Sequence, residues 1–224
     1  MAKLYVVATP IGNLEDITLR ALRILREVDL VLCEDTRETR KLLGKYEIKK
    51  ELLSYHARSG FSKIEKIFEL LKEGKNLALV SDAGTPGISD PGTVLISKIK
   101  EEFGEEVKII PIPGPTALIA ALSASGLPTH EFTYLGFLPH KKGRETLFKE
   151  IAGAKRTCVF YESPHRIIKT LESLQKFCPE KKVCLARELT KIYEELKIGL
   201  PDELLQYLNQ DPKKQKGEFV VIIS

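Results

Sequence analysis

Over its first 110 residues the chain alternates short apolar runs with amphipathic segments of helical period, and few architectures accommodate that rhythm. Lys3–Ala8, Leu30–Cys33, Leu77–Val80 and Val107–Ile110 read as buried strands, apolar through most of their length. Between them the spacing predicts helices. Thr18–Val28 would put Leu19, Leu22, Leu25 and Val28 on one face, and Thr36–Lys45 is helical and basic. Ile64–Lys72 carries Ile64, Ile67, Phe68 and Leu71 inward and stops at Gly74; Thr93–Phe103 is the last of the series. Strand–helix alternation of this kind specifies a mainly parallel sheet with helices on its faces. Ligands then bind beyond the carboxyl ends of the strands.

Pro111–Pro115 interrupts the rhythm, because Pro-Ile-Pro-Gly-Pro cannot form helix or central strand. We place a domain boundary there, giving an N-terminal α/β domain over 1–112 and a C-terminal α/β domain over 113–224. The second half begins with a helix at Thr116–Ser125. Strands follow at Phe132–Gly136, Thr157–Tyr161, Val183–Arg187, Glu194–Gly199 and Glu218–Ile223. Helices lie at Gly143–Ile151, Arg166–Phe177 and Asp202–Leu208, with a solvated turn at Asp211–Lys216. Consecutive late strands predict a mixed sheet, so the whole chain reads as a two-domain α/β protein.

A chain of 224 residues, 43% hydrophobic and 29% charged, has the balance of a soluble globular protein. No apolar run approaches the roughly 20 residues needed to span a bilayer. Met1 leads straight into a strand without a signal peptide's apolar stretch. The expected location is cytoplasmic, with no membrane association. A net charge of +4 permits a polyanionic partner without demanding one. Cys33, Cys158, Cys178 and Cys184 form no C-x-x-C pair and have no zinc-finger spacing with histidine. Buried neutral thiols are expected, with no disulfide and no metal.

Six segments at strand ends concentrate Gly, Pro and small polar residues. Thr9–Asp16 lacks the G-x-G-x-x-G dinucleotide fingerprint, and no P-loop occurs. In Cys33-Glu-Asp-Thr-Arg37, adjacent carboxylates point to opposite faces; one of Glu34 and Asp35 can serve a site while the other caps the helix at Thr36. Ser81–Gly92, SDAGTPGISDPG, holds three Gly and two Pro among its twelve residues. Glycine lets backbone approach a ligand and proline holds the loop's path, so this segment reads as a ligand loop rather than a plain connection. Pro113–Ala117 opens a helix with Thr116 as a natural cap. Phe160–Arg166 runs from two aromatics through Ser-Pro into a helix, and Ala186–Lys191 is polar at a strand end. The aromatics are equally compatible with plain core, and His165 with a surface role.

Taken together, TPIGNLEDIT, CEDTR, SDAGTPGISDPG, PIPGPTALIAALSASGLPTHEFTYLGFLP, FYESPHRI, ARELTK and GEFV resemble the RsmI-type members of the tetrapyrrole (corrin/porphyrin) methylase superfamily. The likeness runs from Thr9 to Val220, nearly the whole chain. It implies an S-adenosylmethionine (SAM)-dependent methyltransferase of two α/β domains with the active site in the cleft between them, usually a homodimer. It also implies a substrate: the ribose 2′-hydroxyl of a cytidine in the decoding region of 16S ribosomal RNA, free or in the small subunit. Many members of this type continue beyond the GEFV strand. This sequence ends at Ser224, so the expectation is RNA docking through the core surface or a dimer.

By the same resemblance, SAM is expected at Pro10, Gly12, Ala83, Gly84, Thr85, Ile88, Thr116, Ala117, Tyr161 and Ala186. Gly-Thr-Pro at Gly84–Pro86 stands where other members of the superfamily have Gly-Asp-Pro. Glu34 matches the acidic position used as base by related tetrapyrrole methylases, with Asp35 as the alternative. Arg37 and Arg187 are candidates to hold phosphate or a developing oxyanion. Arg37, Arg40, Lys41, Lys45, Arg58, Lys141, Lys142 and Arg144 are candidate RNA backbone contacts. Two other readings stay open on the residues: a methyltransferase of a tetrapyrrole or protein side chain on the same fold, and a non-catalytic RNA-binding module.

Overall fold

Leu30–Cys33 and Leu77–Leu79 are buried at every residue, as strands covered on both faces must be. They belong to the first of two units, Met1–Thr116 and Ala117–Ser224, into which the chain divides. The computed structural model describes residues 1–56 and 61–224. Arg58 lies outside the described residues.

The first unit runs β1 (Ala2–Val7), α1 (Leu19–Glu27), β2 (Leu30–Cys33), α2 (Thr36–Lys45), β3 (Leu52–Ser54), α3 (Phe61–Lys72), β4 (Leu77–Leu79), α4 (Thr93–Phe103) and β5 (Val107–Ile112). Every strand pairing in it is parallel, in the order β3-β2-β4-β1-β5. Strand side chains alternate between the faces, and the core divides accordingly. Val7, Val31, Cys33, Ala78 and Val80 pack with α1 and α2. Leu4, Leu30, Leu32, Leu77 and Leu79 pack with α3 and α4. The chain moves outward from β1 to β3 over one face and returns to β4 and β5 over the other, as right-handed crossovers require.

Three details differ from the sequence reading. Leu19, expected inside, is 85% exposed, and Ala21 and Ile24 are buried instead with Leu22 and Leu25. Thr18 caps the helix, its hydroxyl accepting the Ala21 N–H at 3.1 Å, so Leu19 starts the helix on its outer side. The three-residue strand β3 was not expected; it is half-buried and too short to show a period. β5 continues through Pro111 and Ile112, opposite Val6 and Val7. Proline fits there because β5 is an edge strand, where a missing N–H breaks no ladder.

The second unit runs α5 (Ala117–Ala124), β6 (Phe132–Phe137), α6 (Arg144–Gly153), β7 (Thr157–Glu162), α7 (Ile167–Phe177), β8 (Val183–Arg187), β9 (Glu195–Gly199), α8 (Pro201–Gln210) and β10 (Phe219–Ile223). Its sheet is mixed, in the order β6-β7-β10-β8-β9. β6 and β7 are parallel, and β10 is antiparallel to both β7 and β8. The C-terminal strand is therefore central and buried throughout. α6, α7 and α8 cover one face, around Phe148, Phe160, Leu171 and Leu204. α5 covers the other, against Val159, Cys184, Ala186, Val220 and Ile222. All four cysteines are buried free thiols, and burial pushes each thiol above its ordinary range, Cys184 to about 11. Among the described residues no helix is long and apolar enough to cross a membrane.

Candidate active site

Loops from four separate parts of the first unit's sequence are fastened together beyond the carboxyl ends of its strands. Thr9 and Gly84 form an isolated antiparallel bridge: Thr9 N–H donates to the Gly84 carbonyl at 2.8 Å, and Gly84 N–H donates back at 3.1 Å. The buried Thr9 hydroxyl donates to the Ser81 carbonyl at 3.0 Å. The Ser81 hydroxyl donates to the Gly84 carbonyl at 3.2 Å. The Thr85 hydroxyl donates to the Pro115 carbonyl at 3.0 Å, joining the loop after β4 to the one after β5. A carboxylate at position 85 has no proton for that bond, so Thr85 suits this chain's Gly-Thr-Pro structurally. Its hydroxyl proton is thereby occupied.

Backbone closeness accounts for two of the glycines. A Cβ on Gly114 would sit 2.9 Å from the Ala8 Cβ. Gly92, which opens α4, has φ +142°, and a Cβ there would meet Leu79 Cδ2 at 3.1 Å. Gly92→Ala is expected to cost ~1–3 kcal/mol of stability through backbone strain. Urea denaturation checks this, and an unchanged midpoint and slope would contradict it.

Carboxylates gather at the ends of β2 and β4. Asp35 caps α2, its carboxylate accepting the Arg37 N–H at 2.8 Å. The same carboxylate pairs with the Arg37 guanidinium at 2.6 Å. These bonds hold its carboxyl down to about 2. The Asp35 N–H donates to Asp82 Oδ1 at 2.9 Å, tying the β2 exit to the β4 loop. Among the described residues no ion pair involves Glu34. Burial, and then Asp82, push its carboxyl above the ordinary range, with His56 opposing. Asp90, half-buried on the same loop, is pushed up to about 6 by burial, then by Glu34 and Asp82.

Asp82, Asp90 and His56 were not singled out in the sequence. The signal available was the two aspartates inside an otherwise uncharged ligand loop. The raised Asp90 carboxyl has a consequence for stability. Between its ordinary 3.8 and about 6, the folded chain holds a proton that the unfolded chain has released. Stability from this group is thus present in acid and lost as pH rises through that window. Asp90→Asn is expected to raise Tm at pH 8, with the gain narrowing towards pH 4. Calorimetry at the two pH values checks this, and a gain equal at both would contradict it.

Of the expected SAM residues in the first unit, Pro10 and Gly84 are buried, and Thr85 is half-buried. Gly12, Ala83 and Ile88 are exposed, and Thr116 is half-buried immediately before α5. In the second unit, Ala117, Tyr161 and Ala186 meet in one apolar cluster. The Tyr161 hydroxyl accepts the Leu118 N–H at 3.3 Å in the first turn of α5. Its ring lies 5.5 Å from both Tyr134 and Phe137. Among the described residues no group of three or more His, Cys, Asp and Glu side chains could hold a metal ion.

The arginine candidates divide. Arg37 is 81% exposed, though paired with Asp35. Arg187 is committed to Glu195 at 3.4 Å and to the Lys216 carbonyl at 3.3 Å, so it is not a free phosphate ligand. Arg144, expected on the RNA-facing surface, is largely buried and paired with Glu162 instead. Lys41 is neutralised by Glu38 at 2.7 Å.

A parallel α/β unit carrying loops of this kind, together with a mixed-sheet unit, defines a class that comparison identifies. The family described as Tetrapyrrole (Corrin/Porphyrin) Methylases matches residues 3–205. The chain belongs to that family, a family of methyltransferases. It is 48% identical over 224 residues to Ribosomal RNA small subunit methyltransferase I of Thermotoga maritima, covering 100% of this chain and 99% of the relative. To the protein of the same name from Escherichia coli O157:H7 it is 47% identical over 223 residues, covering 99% and 77% respectively. The uroporphyrin-III C-methyl transferase from Thermus thermophilus, solved in complex with S-adenyl homocysteine, shares the fold with a TM-score of 0.65 at 18% identity. That likeness covers 98% of this chain and 96% of the other.

Proposed function

We propose that the chain transfers the methyl group of SAM to the 2′-hydroxyl of a cytidine in the decoding region of 16S ribosomal RNA. The observation that carries this reading is identity of 48% along the whole chain to a relative named for small-subunit ribosomal RNA methylation. A structural neighbour solved with S-adenyl homocysteine, the demethylated product of SAM, supports the choice of methyl donor.

The residues present suit SAM chemically. Ala83, Ile88, Ala117 and Ala186 offer small or apolar surface, Tyr161 an aromatic ring, and Gly84 a backbone with no side chain to obstruct approach. Glu34, Asp82 and Asp90 put negative charge where a sulfonium cation is to be held. SAM supplies an activated methyl group. Pro10, Gly12, Ala83, Gly84, Thr85, Ile88, Thr116, Ala117, Tyr161 and Ala186 bind and orient it.

Glu34 is the general base in this reading. When bound, SAM would supply the methyl carbon to the ribose oxygen, and the electron pair of the carbon–sulfur bond would stay with sulfur. The hydroxyl proton passes to the Glu34 carboxylate. A carboxyl raised by burial and Asp82 is a stronger base than an ordinary glutamate. Asp35 serves differently: it caps α2 and holds Arg37, which leaves Arg37 to position a phosphate or offset charge on the nucleophile. The protein works as a cytoplasmic homodimer on RNA or on the small subunit.

The test offers tritiated SAM with three acceptors: small subunits lacking the modification, naked 16S RNA and a tetrapyrrole. Label is expected in the subunit or the RNA. Label only in the tetrapyrrole or in protein would overturn the reading. Calorimetry showing no SAM binding at high micromolar concentration would favour a non-catalytic module.

A further inference from the structure

Glu162 ends β7 with its side chain wholly buried, and two guanidiniums converge on it. Arg166 Nη2 lies 2.7 Å and Arg144 Nη1 3.8 Å from its carboxylate, and both arginine side chains are only 15% exposed. The Thr170 hydroxyl and the Ser163 N–H donate to the same carboxylate at 2.6 and 2.8 Å. The same guanidiniums also hold the chain leaving β6. Arg166 Nη1 donates to the Leu138 carbonyl at 2.8 Å, and Arg144 Nη1 donates to the Pro139 carbonyl at 3.2 Å.

Two cations on one buried anion are a poor device for stability, because apolar side chains of like volume serve as well or better. What the arrangement does is fix the path of a particular loop. That loop, Pro139–Gly143, is exposed at every residue and carries His140, Lys141 and Lys142. No ion pair involves Lys141 or Lys142 among the described residues, whereas Arg37, Lys41 and Arg187 all have carboxylate partners. Beneath the loop the clamp itself keeps one positive charge in excess. A fixed loop with consecutive unneutralised lysines is complementary to closely spaced anions on a polymer, and it loses little conformational freedom on binding them.

We propose that the Pro139–Gly143 loop, held by Glu162 through Arg144 and Arg166, docks the phosphodiester backbone of the RNA substrate. Lys141 and Lys142 are the phosphate contacts, and Glu162 is a positioning residue. The proposal rests on the RNA reading of the function and deepens it by assigning a surface.

The experiment measures KM for unmodified small subunits across a salt series, with SAM affinity measured in parallel. K141A/K142A is expected to raise KM on the order of tenfold at low salt and to flatten the log–log salt slope by about 2. SAM affinity stays as in the wild type, and K141R/K142R restores both KM and slope. Arg144→Lys keeps the charge but loses the guanidinium fork, and its loss is expected in KM rather than kcat. An unchanged KM and slope in K141A/K142A, with the wild type still methylating subunits, would overturn the docking surface while sparing the RNA reading. A wild type that neither binds nor methylates subunits would remove the RNA reading, and this proposal with it. A raised KM with an unaltered salt slope would also overturn it, because phosphate contacts must release counterions.

Discussion

Glu34→Gln is expected to bind SAM as the wild type does and to turn over 10²–10⁴-fold more slowly, roughly the contribution of a positioned general base. Glutamine preserves shape and polarity but cannot take the proton from a ribose hydroxyl. In the wild type, turnover should rise with pH as Glu34 ionises, with a midpoint above the ordinary 4.5 because burial and Asp82 both disfavour its charge. Asp82→Asn keeps an acceptor for the Asp35 N–H while removing that neighbouring charge, and should move the midpoint to lower pH. Asp35→Asn should lower turnover far less than Glu34→Gln, because asparagine also caps helices. Pre-steady-state turnover against pH measures all three. Full activity in Glu34→Gln would move the base to Asp35 or dispense with a dedicated one.

Glu162→Ala should be the most destabilising single substitution considered. It leaves two largely buried guanidiniums without their anion, and it strips the Thr170 hydroxyl and the Ser163 N–H of their acceptor. Removing one partner of a buried ion pair costs about 3–5 kcal/mol. That is a large share of the ~5–15 kcal/mol by which a typical domain is stable. Arg166 Nε already lacks a partner within the buried network, so the network has no spare acceptor to take up the load. Urea denaturation gives the value, and a loss below about 1 kcal/mol, the scale of an exposed pair, would show that the clamp is solvated.

Much of the fold was legible because period and burial coincide. Leu30–Cys33, Thr36–Lys45 and Thr93–Phe103 occupy the spans their spacing predicted. The proline run is unfit for a central strand, yet Pro111 still pairs, because an edge strand asks less of its N–H groups. Leu19 and β3 show the limit of local pattern: a leucine at a helix start can face either way, and three residues carry no period.

At the candidate site, alternation along the strand end sets Glu34 and Asp35 on opposite faces, and the cap is Asp35. What could not be read was the partnering of charges distant in sequence. Asp82 meets the Asp35 N–H across 47 positions, and Arg144 meets Thr170 across 26. Sequence displays Arg144 and Lys142 as near neighbours of equal charge. Only folding shows that the first is spent inside on Glu162 while the second is left at the surface.

Nucleoside analysis distinguishes 2′-O-methylation of a cytidine from every other product. Small subunits lacking the modification are incubated with the protein and SAM, and their 16S RNA is digested to nucleosides and analysed by mass spectrometry. The expected product is 2′-O-methylcytidine, mapping to the decoding region and formed 10²–10⁴-fold more slowly with Glu34→Gln. A methyl group found on a base, on another nucleotide or on ribosomal protein would contradict it.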